Sequence, residues 1–130
     1  MTALSNSVHI YARPESTEGL VRCFTAILGA EVVASADAPG LPTPVLAFRF
    51  PGGGALSVEF TADALDERQA RRGAWLEIQA DDAAAVQRRI REAGLPQLRH
   101  PANDHFYFAA PGGQVLRIVQ TRYTAARVPG

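Results

Sequence analysis

An internal echo constrains this chain more than any other feature. Phe48-Arg49-Phe50-Pro51-Gly52-Gly53 is answered later by Phe106-Tyr107-Phe108 and then Pro111-Gly112-Gly113, and both strings lead into an alternating, β-prone stretch. Glycines after a proline permit the positive φ angles of a tight connection, so each copy reads as a hairpin. A hairpin that recurs, each time after a strand and a helix, predicts an α+β protein of two βαβββ modules. Each helix must cover one sheet face. The expectation is therefore a curved mixed sheet of eight strands around a cleft, with the helices outside.

The rest of the chain fits this frame. Residues 8–13 alternate as a strand, Pro14, Glu15, Ser16 and Thr17 supply helix-start chemistry, and Leu20, Val21, Phe24, Ile27 and Leu28 recur at helical spacing. Gly29 stops that helix, residues 31–36 give a second strand, and a proline-rich loop occupies 39–44. Strands over 45–50 and 55–61 flank the first glycine turn. The charged, alanine-rich stretch 62–73 reads as a linker with room for a short helix. The second pass has a strand over 74–80, a helix capped by Asp81 and Asp82 and carrying Val86 and Ile90, and a stop at Gly94. Strands over 97–100, 106–109 and 114–122 complete it. The organisation predicted is one domain over 1–130: a first module at about 8–61, a linker at about 62–73, a second module at about 74–122 and a tail at 123–130.

Composition narrows the function. A chain of 130 residues carries one sizeable core, and no apolar run approaches the roughly 20 residues of a membrane helix. The opening residues contain no basic leader with an apolar stretch, so the expected location is the cytoplasm. Thirteen basic and thirteen acidic side chains cancel, and no basic stripe interleaves with aromatics, which argues against nucleic acid as a partner. Every basic residue is arginine, so Schiff-base chemistry and a phosphate-loop lysine are excluded. The lone Cys23 rules out an intrachain disulfide. Within a helix it reads as a small buried hydrophobe or, alternatively, a reactive thiol.

The order of elements, with Leu28-Gly29-Ala30-Glu31-Val32 closing the first helix and Ala110-Pro111-Gly112-Gly113-Gln114 before the last strand, resembles the vicinal-oxygen-chelate superfamily of glyoxalases, bleomycin-resistance proteins and extradiol dioxygenases. The likeness covers residues from about 8 to 121. It implies a small-molecule cleft, a homodimer and, in members that use one, a divalent ion held from the first and last strand of each module. By that correspondence the four positions are His9, Glu59, Trp75 and Arg117. His9 and Glu59 are of ligand type. Trp75 cannot coordinate, since its indole nitrogen only donates. A fixed cation such as Arg117 at about 4 Å from a divalent ion would be repelled by roughly 8 kcal/mol at an effective dielectric near 20. Arg117 is better suited to pair with Glu59 or to fork onto a ligand anion.

Each of these residues also has a plainer role open to it. His9 is a hydrogen-bonded strand histidine, a ligand contact or a metal ligand. Trp75 is core, a dimer contact or a stacking surface. Arg117 is half of a structural ion pair or a ligand clamp. Glu77 shares the Trp75 face by alternation and is either a hydrogen-bonded interior carboxylate, a weak candidate for a catalytic base or a third metal ligand. His100 and His105 read as rim residues.

The function these readings support is binding of a planar or anionic small molecule, without a complete metal site and with no cofactor. The alternative is a divalent-metal-dependent lyase, isomerase or dioxygenase of the glyoxalase type, with His9 and Glu59 as ligands.

Overall fold

The computed structural model describes residues 1–36, 40 and 44–121. The predicted 39–44 loop, apart from Gly40 and Pro44, and the 123–130 tail lie outside the described residues. Two compact units divide the chain, the first ending at Asp66 and the second beginning at Glu67.

In the first unit β1 (Ser7–Ala12) leads through a 3-10 turn (Pro14–Ser16) into α1 (Thr17–Arg22), which a π-helical turn (Cys23–Ile27) extends. Proline at the start needs no amide partner, and its fixed φ suits the first turn. Gly29, at φ +78°, ends the helix in the left-handed conformation that the sequence predicts there. Leu20, Cys23, Phe24 and Ile27 point inward, and the Phe24 ring meets Phe48 edge-on with centroids 5.1 Å apart. Burying rings of this size stabilises by about 1.5–3 kcal/mol each. The sheet follows as β2 (Glu31–Ala36), β3 (Val45–Arg49) and β4 (Ala55–Phe60), in the order β1-β4-β3-β2. β1 runs parallel to β4, and the remaining pairs are antiparallel.

The second unit repeats the plan. A one-turn helix, α2 (Glu67–Ala70), precedes β5 (Trp75–Ala80), α3 (Ala83–Glu92), β6 (Gln97–Leu98), β7 (Phe106–Ala109) and β8 (Val115–Gln120), with sheet order β5-β8-β7-β6. The Asp82 side chain accepts from the Ala85 amide at 3.0 Å and so caps α3, while Val86 and Ile90 bury its apolar face. β6 is two residues long where the sequence predicts four; Pro101 follows, and a proline can neither donate to a ladder nor let its neighbour relax freely. The protein is thus α+β, with two βαβββ modules and two four-stranded mixed sheets.

The two glycine turns are the same structure. In the first, the Gly53 amide donates to the Phe50 carbonyl and the Phe50 amide to the Gly54 carbonyl; in the second, Gly113 donates to Ala110 and Ala110 to Gln114. The following rungs match as well: Phe48 faces Leu56 and Phe108 faces Leu116. This fixes the internal equivalence. Since Val8 pairs with Leu56 and Leu76 with Leu116, the place of His9 in the first module is held by Glu77 in the second.

Candidate ligand-binding site

Strand alternation decides which side chains look away from the helices. On β1 and β4, Ile10, Ala12, Leu56, Val58 and Phe60 are buried under the helix, which leaves His9, Tyr11, Ser57 and Glu59 on the other face. His9 sits on the same rung as Ser57, with Nδ1 2.6 Å from Ser57 Oγ, and its Nε2 lies 3.3 Å from Glu59 Oε1. With Glu59 as acceptor, Nε2 carries a proton, and Ser57 donates to or accepts from Nδ1 according to whether the ring is protonated. The Tyr11 ring closes the group edge-on at 5.1 Å.

The second module builds a different cluster from equivalent positions. Arg117 is buried, on the rung of Glu77, and donates from Nε to Glu77 Oε1 at 3.1 Å and from Nη2 to the same oxygen. Its guanidinium carbon lies 4.2 Å from the centre of the Trp75 ring, and Nη1 reaches the Tyr107 hydroxyl at 3.5 Å. Burial alone would lower the Arg117 pKa, but hydrogen bonds to Glu77 and Tyr107 outweigh it and the group is pushed above its ordinary value. The cation is therefore permanent and already partnered. Trp75 stays 45% exposed, its ring edge-on to Tyr107 at 5.9 Å, and His100 stacks on Tyr107 at 5.7 Å.

Every predicted residue is thus located within its own module. Within the second module Arg117 pairs with Glu77, and within the first Glu59 pairs with His9, because residues on one rung or its diagonal are within reach. Glu77 accepts both bonds from Arg117 through one carboxylate oxygen. Trp75, half exposed, is not core. Sequence reading missed Ser57 and Tyr107. Ser57 lies two positions from Glu59 on the same strand face, and Tyr107 is the rung partner of Arg117, next to the Phe108–Leu116 rung.

The fit to a divalent ion can be tested on the first module. Two ligands at about 2.0–2.1 Å from one tetrahedral ion stand about 3.3 Å apart. His9 Nε2 and Glu59 Oε1 have that spacing. Among the described residues, however, no group of three or more histidine, cysteine or acidic side chains could hold a metal. His9 and Glu59 would supply two of the three protein ligands that a zinc site ordinarily takes.

No family model matches the sequence, and no curated protein sequence matches it. Solved structures do match in fold. Glyoxalase I of Leishmania major, described as trypanothione-dependent, superposes with a TM-score of 0.76 at 11% identity, over 97% of this chain and 92% of that one. FosX, a fosfomycin resistance protein of Listeria monocytogenes in complex with Mn(II) and sulfate, gives 0.67 at 13%, over 92% and 90%. TnmS3, an antibiotic binding protein from a Streptomyces species, gives 0.59 at 18%, over 92% and 98%. At such identities the shared property is the fold, and it is that of the vicinal-oxygen-chelate superfamily to which these proteins belong.

Proposed function

We propose that this chain binds a planar or anionic small molecule on the open face of its second module, as a protein of the glyoxalase and bleomycin-resistance kind without a complete metal site, and that it works as a homodimer. The observation that carries the reading is Trp75, which keeps 45% of its surface exposed while Arg117 supports its ring at 4.2 Å. An exposed indole held by a buried cation is a rigid stacking surface. The planar choice is the stronger one, since an anion would have to compete with Glu77 for the guanidinium. The likeness in fold to TnmS3, an antibiotic binding protein, supports a binding role.

A second reading, a metal-dependent lyase, isomerase or dioxygenase, draws on the His9–Glu59 spacing and on the likeness to FosX with Mn(II). One experiment separates the two. Metal-stripped protein titrated calorimetrically with Mn(II), Zn(II) and Ni(II) should take up none with micromolar affinity, while Trp75→Ala should weaken binding of 2-acetonaphthone by about tenfold or more. Uptake of one equivalent of metal, abolished by His9→Ala, would overturn the binding reading in favour of the enzyme.

A further inference from the structure

The Tyr107 hydroxyl is addressed from two sides. Arg117 Nη1 donates to it at 3.5 Å and Asn103 Nδ2 at 3.3 Å. Neither direction can be reversed. Arginine has no acceptor, and the Asn103 amide is oriented by its Oδ1, which accepts from the His105 amide at 3.0 Å. The phenol oxygen therefore spends its lone pairs on these two donors, and its own proton is left to donate. Among the described residues none accepts it. The ring is held by Trp75 on one side and by stacked His100 on another, which fixes the position of the hydroxyl oxygen. Tyr107 is 4% exposed, and two residues that touch it, His100 and Asn103, belong to the stretch 99–104 that lines a recess of about 570 Å³.

We propose that Tyr107 is the hydrogen-bond donor of the binding site and that it selects an uncharged planar ligand carrying a carbonyl oxygen. The inference rests on the binding function proposed above and goes further by naming the ligand class. A carbonyl accepts the Tyr107 proton while the ring system lies on Trp75. A ligand of the same shape without the oxygen leaves that proton unpaired, and an anion meets the carboxylate of Glu77, held next to the same guanidinium.

The test uses three probes on the intact chain: 2-acetonaphthone, 2-ethylnaphthalene and 2-naphthoate. Binding is read by quenching of Trp75, the only tryptophan. The wild type should prefer the ketone over the hydrocarbon by roughly three- to tenfold, the factor a neutral hydrogen bond supplies. Tyr107→Phe should bring the ketone down to the hydrocarbon and leave the hydrocarbon unchanged. Should that variant not fold, Asn103→Asp serves instead, because its carboxylate takes the phenol proton for itself while still accepting from His105; the same loss of preference is expected. Preference retained in these variants would overturn the donor role and leave the binding reading standing. Tightest binding of 2-naphthoate would overturn the uncharged class. No quenching by any probe would overturn the inference and the binding reading together.

Discussion

Cys23 shows at the residue scale how position overrides side-chain chemistry. It is 1% exposed on the inner side of the first helix, and burial pushes its thiol from an ordinary 9.0 up to about 12. A thiolate is the reactive form, so the folded protein should resist iodoacetamide at pH 8 for hours and be labelled within minutes once unfolded, with mass spectrometry as the readout. The folded chain also keeps a proton that the unfolded chain gives up above about pH 9. Stability should therefore decline as pH climbs from 9 towards 12, in addition to any other titration there. Arg117 makes the complementary point: a buried cation is tolerated because Glu77 and Tyr107 meet it, so its pairing is set by the rung it occupies.

At the scale of elements the two glycine turns share hydrogen bonds but not surroundings. Gly53 has φ +114° and open space where a side chain would stand. Gly113 has φ +102°, and a methyl group there would sit 2.4 Å from the Glu67 carbonyl oxygen and 2.8 Å from the Ala70 Cβ. The second turn is pressed against α2, whose Glu67 side chain also accepts from the Gly112 amide at 3.4 Å. Gly53→Ala should cost about 1 kcal/mol, from backbone strain alone, and Gly113→Ala about 3 kcal/mol, since backbone must move as well. Urea unfolding of both variants checks this; equal losses would mean that α2 does not press on the turn.

For the whole molecule, charge is the simplest determinant. Thirteen basic and thirteen acidic side chains leave no net repulsion between copies at neutral pH. Solubility in low salt should pass through a minimum within about one unit of pH 7 and recover on either side, as ammonium sulfate precipitation across pH would report. Among the described residues no helix is long and apolar enough to cross a membrane.

Much of this architecture was legible beforehand. The proline-glycine turns, the Asp82 cap and the Gly29 and Gly94 stops are local signals, and each stands where the pattern puts it. Local signals of this kind act through neighbours in the chain, and period-two alternation already assigns His9, Glu59, Trp75, Glu77 and Arg117 to sheet faces. Partnership was not legible. Whether Glu77 meets Arg117, whether Ser57 holds the His9 ring and whether two donors converge on Tyr107 depend on register between strand residues 40 to 48 positions apart, and on a loop amide that turns back on its own strand. The sequence by itself determined the modules and the faces because period and turn chemistry are written residue by residue. Only the tertiary structure decided which charges cancel and which proton is left to give, because hydrogen bonds are fixed by distances between rungs that no single strand contains.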